Sequence, residues 1–516
     1  MQTTNVRNPA RPRPALPKIS SPPLHRNLRR TGSISILSYS PSGTSAAGQT
    51  GSTKDNCLSS KDVRTVPAIF TANPIIKKSG GKTMVFAAGL DGIRKINCTG
   101  DNFEVVTFLA YPGLDVPPAF SPSETARKVT GGLLAPPLFV RSGKLRSSVH
   151  HLVDKEGFHF AAFGGLKVVK TTDHNVPENP LQVVRIKDFS EDLSAGFRNL
   201  PIIEMRMTCD GNIAILSYGI LLLCDRDLKL KSYLTFPGEI VCNSLCIDEQ
   251  GIYAVTSRRI LKIVWTGKDL SCREDDGGWE TEFTLLSPRS IQRPGPLHSA
   301  AHCHGGTPVL MGSGEDPDKL ILVSRKDELG TKLFAFWRDQ IPKGHNSGGR
   351  RDPGRIAGQF RIDFARNSVE PLSAVHGYGM VVINSARPQT AAESTERHVL
   401  FGTTRSATPS AMKFSWNLKS KSFERDWLNS QIDSTNHTFP LVSERDGLIY
   451  LGHKAISGYQ FVAMDWNSGT IRERWGLPDG GRPWNTYGGA TMLLDDGDFL
   501  IGGYLTLNRI RVGGGR

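Results

Sequence analysis

The densest group of potential metal ligands lies near the middle of the chain and comprises His298, His302, Cys303 and His304. Zinc needs three or four nitrogen or sulfur ligands within tetrahedral reach. Residues two apart on a strand share a face, so His302 and His304 would lie side by side, and His298 would join them only if its loop folds over. No Cys-x-x-Cys pair or second histidine cluster completes such a site. We therefore expect a metal-free histidine group able to transfer protons near neutral pH.

The eight cysteines are too sparse for a disulfide scaffold. Cys209, Cys224 and Cys246 lie in apolar runs, which predicts buried thiols. Cys242 and Cys246 are four residues apart, and this even spacing on a strand puts both side chains on one face. A redox pair would need an exposed thiolate, so we expect these two cysteines to pack in the core.

Two other catalytic motifs are absent or incomplete. No Gly-x-Ser-x-Gly nucleophile elbow stands between a strand and a helix. The glycine pair in Ser79-Gly80-Gly81-Lys82-Thr83 resembles part of a phosphate-binding loop, but Ile76 occupies the place of the leading glycine and no helical pattern follows. The segment is therefore predicted to be a hairpin turn.

Length and composition limit the class of protein. A chain of 516 residues is too long for one ordinary core, unless the fold is a large closed or repeating β architecture. Hydrophobic residues make up 38% of the chain and charged residues 22%, which excludes collagen, a coiled coil and disorder throughout. No run of about 18 uncharged apolar residues occurs, so no membrane span is expected.

The net charge of +14 is concentrated at the N-terminus, where residues 1–54 carry eight basic residues and no acidic one. The remainder is only mildly basic and has no long Lys/Arg run, so a nucleic-acid groove is not expected. Residues 1–61 are rich in Pro, Ser, Thr and Gly, which predicts a disordered basic tail before a single domain over 62–516. The tail resembles an organellar transit peptide in composition and has no secretory signal, which favours a cytoplasmic or organellar location.

From about residue 62 onward one pattern repeats: an Asp-Gly or related turn, a short β-branched strand, a small residue, and a second strand. Clear copies follow Asp210-Gly211, Gln250-Gly251, Asp446-Gly447 and Asp496-Gly497. Glycine supplies the positive φ that a tight hairpin needs, and short strands alternate between two faces. Convincing helix patterns are nearly absent, so the body is predicted to be all-β.

The repeat starts fall roughly 40–60 residues apart, the period of a four-stranded propeller blade. Seven or eight units are expected, near 85–110, 150–187, 204–235, 243–285, 305–365, 370–415, 437–475 and 487–512. A blade cannot bury both faces alone, so blades pack against one another around an axis. The alternative is two separate β-sandwiches, but the pattern keeps its character along the chain, so we predict a single β-propeller of four-stranded blades.

Three segments carry a resemblance to known propellers. The run from Cys242 to Tyr253, with Asn243-Ser244 and Asp248-x-x-Gly251, resembles a blade of gluconolactonase-like and strictosidine-synthase-like proteins. Ala463-Met464-Asp465 with Ser468-Gly469 resembles a quinoprotein-type blade, and the segments 306–312 and 333–338 resemble quinoprotein-like propellers of bacteria and fungi. The resemblance implies a propeller with a central funnel, and the fold by itself assigns no reaction.

Residues just before the innermost strand of each blade would line that funnel. We expect proton transfer or polarisation of a substrate by His304, His437 and Asn485. We expect substrate binding by Asn243, Thr307, Trp337 and Tyr487. Asn243 matches the asparagine that gluconolactonase-like proteins use to hold a divalent cation, whereas the alternative is that it caps a turn.

The sequence leaves two classes of function open. One is an enzyme performing hydrolytic, isomerising or ring-closing chemistry on a metabolite in the funnel. The other is a non-catalytic scaffold that binds a protein or glycan, and quinoprotein-type redox activity is a third option. No cofactor is assigned, and the resemblance allows a divalent cation. The quinoprotein-type tryptophan would follow Gly469 by four positions, where this chain has Glu473, which argues against pyrroloquinoline quinone. We expect a monomer with a small-molecule ligand.

Overall fold

The structure is a computed structural model, and the part of the chain that it describes lies between residues 56 and 512. The described residues are 56–59, 61–68, 71, 73–113, 150–197, 200–241, 244–283, 308–327, 330–345, 354–362, 364, 372–384, 410–432, 439–455, 458–478, 491–502 and 506–512. The predicted tail over 1–61 therefore lies almost wholly outside them.

The first four blades follow two short N-terminal strands, β1 (Asn56–Cys57) and β2 (Val63–Pro67). Blade 1 comprises β3 (Ile75–Ser79), β4 (Lys82–Ala88), β5 (Gly92–Asn97) and β6 (Glu104–Ala110). Blade 2 comprises β7 (His151–Val153), β8 (His159–Phe163), β9 (Lys167–Thr172) and β10 (Gln182–Asp188). Blade 3 comprises β11 (Ile202–Met207), β12 (Ile213–Ser217), β13 (Ile220–Cys224) and β14 (Leu230–Thr235). Blade 4 comprises β15 (Cys246–Asp248), β16 (Gly251–Val255), β17 (Arg259–Trp265), β18 (Leu270–Ser271) and β19 (Trp279–Glu282).

The second half repeats the arrangement. Blade 5 comprises β20 (Val309–Met311), β21 (Leu320–Asp327), β22 (Gly330–Trp337) and β23 (Ile356–Ile362). Blade 6 comprises β24 (Leu372–His376), β25 (Gly379–Ile383), β26 (Ala411–Asn417) and β27 (Ser422–Asn429). Blade 7 comprises β28 (Leu441–Ser443), β29 (Leu448–Ala455), β30 (Gly458–Asp465) and β31 (Ile471–Gly476). Blade 8 contains β32 (Thr491–Leu493), β33 (Phe499–Gly502) and β34 (Thr506–Ile510). Short 3₁₀ helices cover Phe189–Asp192, Ala195–Phe197 and Glu274–Asp276.

These sheets confirm the predicted all-β propeller and give it eight blades. Within each blade, successive strands pair antiparallel from the innermost to the outermost, and in blade 4 the outer position is divided between β18 and β19. The predicted hairpin at the glycine pair is confirmed, because Ser79 pairs with Lys82 across Gly80 and Gly81, whose φ values are 53° and 74°. Positive φ at both central residues suits a two-residue β-hairpin.

The ring is closed by strands that come from the N-terminus. β2 pairs antiparallel with β34 over five residues and forms the outermost strand of blade 8, while β1 runs parallel to β31 on the outside of blade 7. Arg509 ties blade 8 to blade 1, because its Nη1 donates to the backbone carbonyls of Cys98 and Asn102 at 3.2 and 2.6 Å. β1, at Asn56–Cys57, therefore lies on the N-terminal side of the expected boundary at residue 62.

Apolar layers between neighbouring blades form the core. In blade 3, every residue of β12 and β13 is buried, because each face of that sheet packs against an adjacent blade. Burial on both faces explains why these strands are continuous apolar runs rather than alternating patterns.

Two blade junctions share a tryptophan contact. The indole Nε1 of Trp279, on the outer edge of blade 4, donates to the carbonyl of Arg338 in blade 5 at 2.9 Å. Trp427, on the outer strand of blade 6, donates in the same way to the carbonyl of Trp466 in blade 7 at 3.0 Å. Gly469 lies directly under this ring, where a Cβ would come within 2.5 Å of it. Each bond satisfies a buried polar group while holding one blade against the next.

Candidate functional site

Most of the predicted site residues fall outside the part of the chain that the structure describes. These are His304, His437, Asn485, Asn243, Thr307 and Tyr487, together with the histidine run that starts at His298. Their proposed roles stay predictions.

Trp337 is the described member of the predicted set, and it lies at the end of β22, the third strand of blade 5. Its side chain is 2% exposed and packs in the apolar layer between blades 5 and 6. The ring makes edge contacts with His345 and Trp416, at centroid distances of 5.4 and 6.0 Å. Trp337 therefore contributes to blade packing, and its stacking on a substrate stays a prediction.

The cysteine predictions are confirmed in part. Cys224 and Cys246 are buried, as expected. Cys209 is exposed, so the prediction of a buried thiol was wrong there. The residue follows β11 in the turn that ends at Asn212, and a turn at the sheet edge faces solvent even when apolar strands flank it.

A polar cluster joins the innermost strands of three consecutive blades. His150 directly precedes β7 of blade 2, Glu204 lies in β11 of blade 3, and Ser244 precedes β15 of blade 4. The carbonyl of His150 accepts a hydrogen bond from the amide of Ala162 in β8, which extends the ladder of blade 2 to this residue. First strands surround the propeller axis, so the cluster lies on the axial side of the ring.

Glu204 is the centre of this cluster. His150 Nδ1 lies 2.8 Å from Glu204 Oε1, and the Met205 amide donates to the same oxygen at 3.1 Å. The Ser244 hydroxyl donates to Oε2. The side chain of Glu204 is 3% exposed and that of His150 is 17% exposed, so His150 is the more solvent-accessible of the two.

Arg206 continues the cluster along β11. It is paired with Ala214 in the sheet, as Glu204 is with Leu216, so both charged side chains share the face that packs towards blade 4. Arg206 Nη2 lies 3.5 Å from Glu204 Oε2. Burial lowers the pKa of the Arg206 guanidinium, and the nearby carboxylate of Glu204 offsets only part of this effect.

The order of groups indicates acid–base chemistry rather than nucleophilic catalysis. In a serine triad the histidine lies between the serine and the carboxylate. Here the carboxylate of Glu204 lies between His150 and Ser244, so the histidine does not activate the hydroxyl. A carboxylate at Nδ1 orients an imidazole and leaves proton transfer to Nε2.

The divalent-cation site that the sequence resemblance allows rests on Asn243, which lies outside the described residues, so that site stays a prediction. The described cluster around Glu204 does not supply such a site by itself. Hard divalent cations take about six or more oxygen ligands, several of them carboxylates. Here the one carboxylate in contact with the cluster, Glu204, already accepts hydrogen bonds at both oxygens. Across the described residues, no three His, Cys, Asp or Glu side chains are grouped in a metal-binding arrangement.

A second buried polar cluster ties blade 1 to blade 2. Asp173 lies between two lysines, with Oδ1 2.9 Å from Lys77 Nζ and Oδ2 2.7 Å from Lys95 Nζ. Burial alone would raise the pKa of Asp173, but the two lysines outweigh it and lower that pKa below its ordinary value. Nearby, His151 Nδ1 and His159 Nε2 are 2.8 Å apart, and burial holds the pKa of His159 well below its usual range. The Asp173–lysine contacts link blades 1 and 2 and the histidine pair lies within blade 2, and since all of these groups are buried we assign them to stability.

Comparison with known proteins gives a distant relative and a set of propellers. No family model matches the chain. It is 27% identical over 243 residues to an uncharacterized protein of Archaeoglobus fulgidus, a match that covers 45% of this chain and 44% of that protein. The chain thus matches less than half of the length of this relative.

Solved structures similar to the chain include the periplasmic gluconolactonase PpgL of Pseudomonas aeruginosa, with a TM-score of 0.39 and 11% identity over 80% of this chain and 95% of that one. The Dos1 propeller gives a TM-score of 0.43 and 7% identity, covering 69% and 78% of the two chains. Sqt1 of Saccharomyces cerevisiae gives 0.38 and 11%, covering 69% and 82%. At these scores the fold assignment rests on the eight sheets themselves. Membership in a gluconolactonase-like, strictosidine-synthase-like or quinoprotein-like family stays a prediction.

None of the described helices is long and apolar enough to cross a membrane.

Proposed function

We propose that the chain is an enzyme that acts on a small metabolite on the axial side of blades 2–4. The observation that supports it is the contact of three side chains from three separate innermost strands, His150, Glu204 and Ser244. Packing alone does not require a buried carboxylate at this place, because burying an ionised group costs free energy unless its partners compensate.

His150 is the group that exchanges a proton with the substrate. Glu204 accepts a hydrogen bond from its Nδ1–H and orients the ring, so that a proton is exchanged at Nε2. Ser244 and the Met205 amide hold the carboxylate in place. This arrangement suits hydrolysis of an activated ester or lactone by a water molecule, or an isomerisation by proton transfer.

A proton-release screen tests this proposal. Wild-type protein is mixed with sugar lactones and simple carboxylate esters in a weakly buffered indicator solution, and isomerisation is followed by proton NMR. Any turnover should fall about 10²- to 10⁴-fold in His150→Ala and Glu204→Gln. The control is His174→Ala, an exposed histidine in blade 2 that should keep full activity. Equal turnover in wild type and His150→Ala would contradict the proposal, as would the absence of turnover across the screen.

A protein-binding scaffold is the second candidate, and one observation favours it. Among the described residues, ten large hydrophobic side chains are exposed, and seven of them lie in blades 1 and 2. Six are on the outer strands β6 and β10: Val105, Val106, Phe108, Val183, Val184 and Ile186. Clustered exposed apolar residues are typical of protein contacts. Cross-linking in a native extract should then capture a partner that Phe108→Ser loses, while His150→Ala retains it.

A further inference from the structure

The charge of Arg206 is poorly compensated by the residues around it. Its side chain is 8% exposed, and its one described ion pair is the 3.5 Å contact between Nη2 and Glu204 Oε2. Within the described residues, no acceptor lies within hydrogen-bonding distance of the buried Nε. A guanidinium carries five N–H donors in a planar fork, and a buried donor without an acceptor is costly.

Arg509 shows what a buried arginine with a structural role looks like in this molecule. Its Nε donates to Asp498 Oδ2 at 2.7 Å and its Nη2 to Asp496 Oδ2 at 2.7 Å. Its Nη1 donates to two backbone carbonyls of blade 1. Every nitrogen of Arg509 therefore has an acceptor.

Among the described residues, Glu204 is the one side chain that accepts a hydrogen bond from Arg206. Both oxygens of Glu204 already accept from other donors, namely His150, the Met205 amide and Ser244. Cys246 is the other titratable group close to Arg206, and burial raises the pKa of its thiol to about 12. The thiol is therefore neutral at physiological pH and provides no negative charge.

We infer that the site binds a ligand with an anionic group, a carboxylate or a phosphate, which accepts hydrogen bonds from Arg206 beside His150. Such a group matches the planar fork of a guanidinium and supplies an acceptor for Nε, for which the described residues provide none. The inference rests on the proposed function for its location, since it assigns the substrate class of the same site. It makes Arg206 a residue that determines specificity for acids or phosphate esters over neutral analogues.

Ligand-observed NMR tests this inference without knowledge of the natural substrate. Inorganic phosphate is followed by phosphorus NMR, and ¹³C-labelled D-gluconate is compared with its neutral analogue D-glucitol. Wild-type protein should broaden the signal of at least one anion and leave D-glucitol unchanged. Arg206→Met should weaken that binding about 10- to 100-fold, the value of a hydrogen bond to a charged group. Arg206→Lys keeps the charge without the fork and should fall between the two.

The control is Arg226→Met, which removes a more exposed guanidinium of blade 3 that pairs with Asp154 and Glu156. It should bind anions like wild type. Circular dichroism and a urea midpoint verify that each variant is folded. If Arg206→Met does not fold, Arg206→Lys still tests the inference. Broadening by phosphate but not gluconate identifies a phosphorylated ligand, and the reverse identifies an organic acid. Equal broadening with Arg206→Met, or binding of neither anion by wild type, would overturn the inference.

The two proposals fail in different ways. If His150 has no catalytic role, His150→Ala is as active as wild type, while anion binding still depends on Arg206. If the inference is wrong, turnover still depends on His150, but Arg206→Met uses anionic substrates as well as wild type does.

Discussion

Replacing Asp173 with asparagine should destabilise the junction between blades 1 and 2. The side chain of Asp173 is fully buried, at 0% exposed. Of the two lysines that contact it, Lys77 is 4% exposed and Lys95 is 0% exposed. Removing one member of a buried ion pair typically costs about 3–5 kcal/mol, because the charge left behind is uncompensated.

The expected cost of Asp173→Asn lies near the lower end, about 3 kcal/mol. Both lysines keep backbone acceptors: Lys77 Nζ donates to the Gly157 carbonyl at 3.3 Å, and Lys95 Nζ donates to those of Val176 and Asn179 at 2.9 Å each. The variant also keeps an oxygen that can accept from the amide of residue 175.

The effect should depend on pH in a defined direction. The pKa of Asp173 is lower in the folded protein than in the unfolded chain. As the pH falls, the unfolded chain therefore takes up a proton at this carboxylate before the folded protein does. The stabilisation is therefore fully present above about pH 4, the ordinary pKa of aspartate, and is lost as the pH falls through the lowered value. The difference between wild type and Asp173→Asn should shrink over that acidic range.

Urea unfolding followed by tryptophan fluorescence measures this effect at pH 7 and at pH 3–4. The matched control is Glu178→Gln at the same junction. Glu178 pairs with Lys82, and both side chains are exposed, at 61% for Glu178 and 42% for Lys82. Exposed pairs contribute little, so the control should unfold like wild type. If Asp173→Asn unfolds at the same urea concentration as wild type at pH 7, the buried triad does not stabilise the junction.

Three other predictions follow from the fold. Cys209→Ser should remove one reactive thiol in a titration of the native protein, and an unchanged count would contradict its exposure. Trp427→Phe leaves the Trp466 carbonyl without its donor and should lower the free energy of unfolding, measured with urea, by about 1–3 kcal/mol. An unchanged urea midpoint would show that this hydrogen bond does not stabilise the junction. Deleting residues 1–55 should leave the urea midpoint unchanged, whereas deleting 1–67 removes the outer strand of blade 8 and should lower it strongly; equal midpoints would refute closure by β2.

The strands of the propeller were predictable because their signals are local. The turn at Asp210-Gly211 places a positive φ of 84° at the glycine, and β12 then starts at Ile213, as the pattern predicts. The same reasoning located the hairpin at Gly80 and Gly81. A tight turn and the strand after it are set by a few adjacent residues, so spacing alone identifies them.

Ring closure was not predictable from local spacing. β2 pairs with β34 across more than 400 residues of chain, as in the contact of Thr65 with Asn508. Nothing in the short sequence of β2 indicates which of the eight blades it completes.

The candidate site was partly visible in the sequence. Three of the predicted blade units start at residues 150, 204 and 243, but His150 and Glu204 were not among the predicted site residues, and Glu204 lies within β11 rather than before it. Their convergence could not be predicted, because it depends on how each blade is rotated against the next. Arg206 was missed for the same reason, since packing decides that its Nε has no acceptor among the described residues.

A crystallographic fragment screen would show whether small anions bind at the cluster formed by His150, Glu204 and Arg206. Crystals of the full chain are soaked with small carboxylates, phosphate esters and neutral polyols, and the positions of bound fragments are mapped. Anionic fragments should bind on the axial side of blades 2–4, within hydrogen-bonding distance of His150 and Arg206. Fragments confined to the apolar outer strands of blades 1 and 2, with none at the axial cluster, would contradict this expectation and favour the scaffold.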